Sequence, residues 1–369
     1  MIFLNKLLAY DLVKELVIRK ILIFEFNLLI LHSLCRGRLV STVGRGRDLR
    51  FQRSIRTRSK MAAMVTADIE LPSGGRVLSI QSHTVHGYVG NKAAVFPLQL
   101  LGFDVDPINS VQFSNHTGYA TVKGQVLDGE QLWTLIEGLE ANDLHHYTHL
   151  VTGYIGSVSF LEMVLRVVEK LRYANPDLIY VCDPVMGDDG EFYVTPDLVP
   201  VYCDKVVAAA SMLTPNKFEA EHLTHRCIET EADALEACCD LHDTGPSKVV
   251  ITSLDIDDKI MIIGSHVQSK GMAPRQFKIT VPKLDSSFTG TGDLMTALLL
   301  GWSYKYPDNL EKAAELAVSS VQAVLIQTLK IDEKAGLSQD GGVKALELCL
   351  IQSHDEIRYP KVTFFAESL

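Results

Sequence analysis

None of the seven cysteines (Cys35, Cys182, Cys203, Cys227, Cys238, Cys239, Cys349) forms a CxxC pair. That excludes the spacing used by most structural zinc sites and by dithiol redox centres. Cys238 and Cys239 are adjacent in a helical pattern and point to different faces, so the thiols read as reduced and inert. No stretch matches G-x4-G-K-[ST], and no HRD or DFG pattern is present. A P-loop nucleotide site and a protein-kinase site are therefore excluded. No G-x-G-x-x-G follows a strand with an acid about twenty residues on, so a dinucleotide site has no support. Histidine pairs with zinc spacing are also missing. His145-His146 and His149 fall in a polar stretch and read as a solvated cluster.

Basic residues are scarce outside the N-terminus. Residues 1–60 carry thirteen Lys/Arg against four Asp/Glu, whereas the other 309 carry 22 against 41. A body that acidic is not built to track nucleic-acid backbones, and no nucleic-acid partner is expected. A long uninterrupted apolar run is missing as well. Ile21–Leu31 is broken by Glu25 and Asn27, too short and too charged to span a membrane. It lies deep for a signal segment, with no small-residue cleavage site behind it, so no stable membrane insertion is expected. Arg36–Lys60 holds nine basic residues and one acid, Asp48, with little periodicity, and is expected to be disordered in isolation. Two accounts of this region stand. A basic, acid-poor N-terminus suits organelle targeting through residues 1–60, although serine is sparse. Equally, Met61-Ala62-Ala63-Met64 looks like a natural start, making what precedes it an upstream extension of a cytoplasmic protein. Residues 1–75 are accordingly set apart from residues 76–369, which read as one α/β domain.

From Arg76 onward the hydrophobic pattern alternates between strand and helix. Strands are expected at Val77–Gln81, Val105–Phe113, His149–Thr152, Leu178–Cys182 and Lys248–Thr252. Helices are expected at Asn91–Leu101, Asp128–Glu140, Phe160–Leu171 and Ala232–His242. Lys259–Gly264 and Phe277–Val281 look like an antiparallel pair. A helix follows Asp293, a second covers Leu310–Thr328, and a weaker one covers Gly342–Ile351. Continuous Val/Ile/Leu strands between helices predict a mostly parallel sheet covered on both faces. Polar residues gather just after the strand ends, at Ser82, Thr117, Tyr154, Asp183, Thr214 and Thr252-Ser253. Ligands bind in that crevice of an open α/β sheet.

The chemistry concentrates in Phe288–Gly301, FTGTGDLMTALLLG. A Gly-Thr-Gly turn opening a buried helix offers free backbone N–H groups at the positive end of a helix dipole, which is an anion site. Asp293 in that first turn would repel a bound phosphate. It makes sense if it takes a proton from a hydroxyl that attacks the phosphate. The plain alternative is an acid that only complements the dipole. Two further acidic sites stand upstream. Asp183 and Asp188 flank a turn in DPVMGD, and Asn216 and Glu219 share one face at a helix start. Helix capping alone would explain Glu219. Phosphoryl transfer, however, needs a divalent cation, and Mg²⁺ takes one or two carboxylates with water, a role open to Asp188 and Glu219.

A D-P-V-x-G-D strand end, an N-x-x-E helix start and a terminal G-T-G-D, in that order, resemble the ribokinase-like fold. More narrowly, residues 79–119 ending in QFSNHTGY, with TGY at 152–154, VCDPVMGD, TPNKFEAE and FTGTGDL, resemble the pyridoxal kinase family. The resemblance runs from about Arg76 to the C-terminus and implies a three-layer α/β sandwich. It further implies phosphorylation of pyridoxal, pyridoxine and pyridoxamine by ATP, with Mg²⁺ or another divalent cation, a monovalent cation (K⁺ or Na⁺), and a homodimer. By that resemblance Ser82 and Thr117 bond the pyridine substituents, Tyr154 packs on the ring, and Asp293 is the base. Gly290, Thr291 and Gly292 hold the transferring phosphoryl. Asp183, Thr214 and Thr252 match the monovalent-cation site, and Asp188 a Mg²⁺ position. Asn216, Glu219, Thr252, Ser253 and Thr291 match ATP-site positions, with Leu284, Asp285, Ser286 and Phe288 on the adenine side. The turn after Asp188 is expected to form a flap over the nucleotide. A kinase for another small alcohol, such as hydroxymethylpyrimidine or a sugar, and a catalytically silent vitamer-binding protein are the competing expectations.

Overall fold

The computed structural model describes residues 74–256, 259–269, 271–335 and 345–369. The expectations for residues 1–73 lie outside that range. In chain order the elements are β1 (Arg76–Thr84), α1 (Asn91–Leu100), β2 (Asp104–Phe113), β3 (Gly124–Val126), α2 (Gly129–Ala141), β4 (His149–Thr152), α3 (Val158–Ala174) and β5 (Ile179–Cys182). A short hairpin of β6 (Gly187–Asp188) and β7 (Glu191–Phe192) follows. Next come a helical stretch α4 over residues 198–209, with a π-turn at Tyr202–Val206, then β8 (Met212–Leu213), α5 (Lys217–Thr224) and α6 (Glu231–Thr244). The chain continues through β9 (Lys248–Ile256), β10 (Lys259–His266), β11 (Arg275–Pro282), β12 (Phe288–Thr289), α7 (Thr291–Lys305) and α8 (Leu310–Ala335). It closes with β13 (Leu346–Glu347), α9 (His354–Arg358) and β14 (Glu367–Ser368).

Among the described residues, ten strands form one sheet in the order β14-β11-β10-β9-β8-β5-β4-β1-β2-β3. The run from β9 to β2 is parallel, and antiparallel pairs flank it at both edges. Helices cover both faces, as the expected three-layer α/β sandwich requires. Alternation along β1 shows why: Leu78 and Ile80 pack against α2 and α3, while Val77 faces the layer of α1, α7 and α8. The helix after Asp293 is buried continuously from Leu294 to Ser303. The stretch Leu310–Lys334 is long and apolar enough to cross a membrane by composition, yet 61% of its most apolar window is buried in the core.

Chain direction matters for the site. From β1 the chain steps to β2 on one side, then returns to β4 on the other side of β1. The carboxyl ends of β1 and β4 therefore flank a topological switch point, where a crevice opens.

Three expectations need correction. No helix occupies Leu346–Ile351. Leu346-Glu347-Leu348-Cys349-Leu350 alternates with period two, a strand pattern, and Leu346–Glu347 pair in parallel with β12. The helix starts only at His354. His149 is not solvated; it is buried in β4 between the rings of Phe103 and Tyr304. Finally, Ser82 and Thr252-Ser253 lie within β1 and β9 rather than beyond them. Both strands are irregular there: the register shifts between Gln81 and His83, and across Met261/Ile263 opposite Thr252-Ser253. Bulges re-aim side chains that regular pleating would direct elsewhere.

Candidate active site

Asp293 stands in the first turn of α7, whose start no side chain caps. The turn's N–H groups are thus left for a ligand. Gly290 opens the helix at φ 80°, and a β-carbon there would lie 2.1 Å from the Tyr88 carbonyl oxygen. Only glycine fits. Asp293 is half-buried, and its Oδ2 accepts the Gly90 N–H at 2.8 Å. Desolvation raises its pKa above the ordinary carboxylate value, and the Gly90 bond opposes that rise. Gly90 in turn abuts Ser82: a β-carbon on Gly90 would fall 2.3 Å from Ser82 Oγ. The end of β1, the turn before α1 and the start of α7 therefore meet at one place.

Behind this turn lies an acidic centre. Asp183, at the end of β5, is buried, and a β-carbon on Gly292 would sit 3.6 Å from its Oδ2. Burial pushes its pKa well above the usual carboxylate range, and the charges of Glu219 and Asp293 push it further. Thr296 beside it moderates that rise, and its hydroxyl shares a 2.7 Å hydrogen bond with Thr214 Oγ1. Glu219 is also buried. Its carboxylate accepts the Met186 N–H at 3.0 Å and the Asn216 N–H at 2.9 Å, while Asn216 Oδ1 accepts the Glu219 N–H at 2.8 Å. Capping is therefore real but uses only Oε2; Oε1 binds the Met186 N–H beyond the helix. Burial nonetheless pushes the Glu219 pKa up to about 8, against the lowering effect of its backbone donors.

The neighbouring groups hang on the same frame. Asn216 Nδ2 donates to the Gly187 carbonyl at 2.7 Å, which fixes the hairpin carrying the exposed Asp188. Phe192 of that hairpin packs on Phe218 and His222 of α5. Thr252 donates its N–H to the Pro215 carbonyl at 2.9 Å, tying the β9 bulge to the turn before α5. Ser253 is half-buried beside it. Asp285 and Ser286 are exposed and Leu284 half-buried on the loop into β12, where Phe288 packs on the core layer of α1, α7 and α8.

On the other side of the crevice, Tyr154 follows β4, and its carbonyl accepts Ser110 Oγ at 2.6 Å. Its phenol is half-buried, and burial raises its pKa. Thr117 is exposed on the loop after β2, next to buried His116. Two participants escape a motif-based reading. Gly90 matters through its backbone and carries no chemical signature. Glu347 lies where a helix was expected, and its carboxylate accepts the Tyr88 N–H at 3.0 Å and faces His116 Nε2 at 3.3 Å.

A family model described as phosphomethylpyrimidine kinase matches residues 142–339. A pyridoxal kinase of Arabidopsis thaliana is 66% identical over 300 residues, covering 81% of this chain and 96% of that protein. One from Bos taurus is 48% identical over 307 residues, covering 80% and 98%. The chain belongs to the pyridoxal kinase family. Among solved structures, pyridoxal kinase from Leishmania donovani in complex with ADP and pyridoxamine superposes with a TM-score of 0.72 at 36% identity, covering 80% of this chain and 99% of that one. Its complex with ADP and pyridoxine gives 0.73 at 35%. These likenesses establish the ribokinase-like α/β fold and a kinase activity that uses ATP.

The residues present suit a cation. Asp183 is a buried carboxylate, and the charges acting most strongly on it, those of Glu219 and Asp293, have its own sign. Thr214, just after β8, and Thr252, within the neighbouring β9, add hard oxygen donors, the donor type that Mg²⁺ and alkali cations take.

Proposed function

We propose that the protein transfers the γ-phosphoryl of ATP to the 5′-hydroxymethyl of pyridoxal, and of pyridoxine and pyridoxamine, giving the 5′-phosphates in vitamin B6 salvage. The observation that carries this is the Gly290–Asp293 turn. It combines uncapped N–H groups for a phosphoryl with one carboxylate, held by Gly90 beside Ser82. A site that only bound an anion would have no use for that acid.

In this reading Ser82 and Thr117 bond the pyridine substituents and Tyr154 supplies the ring platform, properties suited to a neutral aromatic alcohol. Asp293 accepts the proton as the 5′-oxygen bonds the γ-phosphorus and the bond to the β-phosphate bridging oxygen breaks, releasing ADP. Its raised pKa makes it a stronger proton acceptor than an ordinary aspartate. The N–H groups of Gly290, Thr291 and Gly292 stabilise the charge on the phosphoryl oxygens. Asn216, Glu219, Thr252, Ser253 and Thr291, with Leu284–Ser286 and Phe288, accommodate the nucleotide. Asp188, with Glu219 through water, would hold Mg²⁺ or another divalent cation, and Asp183, Thr214 and Thr252 would hold K⁺ or Na⁺. Such cations neutralise charge on the phosphates. We further propose a homodimer, a cytoplasmic location with targeting through residues 1–60 as the alternative, and a kinase domain confined to residues 76–369.

ADP release from ATP, measured with the three B6 vitamers, hydroxymethylpyrimidine and ribose, tests the reading. Turnover should be restricted to the vitamers. Preferential turnover of another alcohol, or vitamer binding without ADP release, would overturn it.

A further inference from the structure

Glu347 is remote from every motif in the sequence, yet it touches both loops of the proposed vitamin site. Its Oε2 accepts the Tyr88 N–H at 3.0 Å, and a β-carbon on Gly87 would lie 2.2 Å from that oxygen. The turn leading to Gly90 is therefore moulded around this carboxylate. Its Oε1 lies 3.3 Å from Nε2 of His116, which is only 9% exposed. The Tyr119 ring packs edge-on to His116 with centroids 4.7 Å apart, and its phenol's pKa is raised by burial and by the nearby Glu347 charge.

His116 fixes the neighbouring turn. Its Nδ1 accepts the Gly118 N–H at 3.0 Å, which places the ring proton on Nε2, facing Glu347. Thr117 lies between the two residues of that bond. On its other flank Glu347 is part of β13, paired with Thr289 of β12, the residue immediately before the Gly290–Asp293 turn.

We infer that Glu347 is a positioning residue: through His116 it sets the turn that presents Thr117, and through the Tyr88 amide it sets the turn that presents Gly90, joining both to the strand entering the phosphoryl-binding turn. The inference rests on the proposed pyridoxal kinase reading. Glutamine is a poor substitute here. Its NH₂ group would set a donor against either the Tyr88 N–H or the His116 Nε2–H, where the carboxylate presents an oxygen to each.

A double-mutant cycle tests it, with E347Q and H116N made singly and together, and KM for pyridoxal and for ATP measured separately. E347Q should raise KM for pyridoxal about tenfold, the usual worth of a charge-assisted hydrogen bond, with KM for ATP changed by less than about twofold. In the H116N background the E347Q effect on KM for pyridoxal should shrink to less than about threefold, because its main route is already cut. An equal effect in both backgrounds overturns the inference. So does a rise in KM for ATP as large as that for pyridoxal, or no change at all. If E347Q does not yield folded protein, E347D, which keeps both oxygens but withdraws them, replaces it in the same cycle. Wild-type protein that releases no ADP with pyridoxal would instead overturn the functional reading beneath it.

Discussion

Gly90 donates its backbone N–H to Asp293 across 203 residues of sequence, at 2.8 Å. The bond joins the turn before α1 to the start of α7 and holds the carboxylate in place. Gly90 sits at φ 53°, and an added β-carbon would lie 2.1 Å from the Ser82 carbonyl oxygen. Gly90→Ala must therefore shift that turn and withdraw the donor from Asp293. We expect kcat to fall about 10–100-fold, the cost of misplacing a catalytic group by about an ångström. ATP affinity, measured by calorimetry, should stay near wild type.

Asp183 concentrates negative charge in a buried place, and a cation is the natural partner. Asp183→Asn keeps its size and removes the charge. Wild-type turnover should cease with a chelator of divalent cations and rise when K⁺ replaces a bulky organic cation. In Asp183→Asn the K⁺ response should disappear. Thermal stability without added cation should be equal or higher, since repulsion from Glu219 and Asp293 is relieved. Retained K⁺ stimulation in this variant would remove Asp183 from the cation site.

His149 makes the fold sensitive to acid. Burial, with a smaller contribution from Lys248, pushes its pKa from 6.5 to about 4. As pH falls below 6.5 the unfolded chain takes up a proton that the folded chain refuses. Stability is thus full above pH 6.5 and declines until about pH 4, by about 2 kcal/mol at pH 5 from this residue. His266 is pushed the same way, chiefly by burial. His149→Phe, placed between Phe103 and Tyr304, should lose less stability than wild type between pH 7 and pH 5 in urea melts. A pH dependence identical to wild type would contradict the assignment.

Most of the architecture was legible because parallel strands are buried on both faces and read as apolar runs, as in Leu178–Cys182. Amphipathic stripes and caps likewise announce helices: Asp128 caps α2 as the pattern from Asp128 suggests, and the Asn216–Glu219 pair forms a true capping box. The groups at Asp183, Asn216, Glu219 and Asp293 were legible because carboxylates and amides near strand ends or helix starts have identifiable chemistry. Gly90 was not, since its contribution is a backbone N–H. Glu347 was missed for another reason. It falls inside the weak helix expected at Gly342–Ile351, and pairing between β13 and β12, nearly sixty residues apart in sequence, follows from tertiary context rather than from local propensity.

The central claim is that Asp293 takes the proton from the attacking hydroxyl. Asp293→Asn preserves the shape and an oxygen for the Gly90 N–H while removing the base. The test is the pH profile of ADP formation with pyridoxal, for wild type and variant, alongside ATP binding. Wild-type kcat/KM should fall as pH drops through the pKa of Asp293, at a value above that of an ordinary aspartate because burial raises it. In Asp293→Asn that acid limb should vanish and kcat should drop about 10²–10⁴-fold, with ATP still bound. Near-normal turnover in Asp293→Asn, with the acid limb intact, would contradict the account.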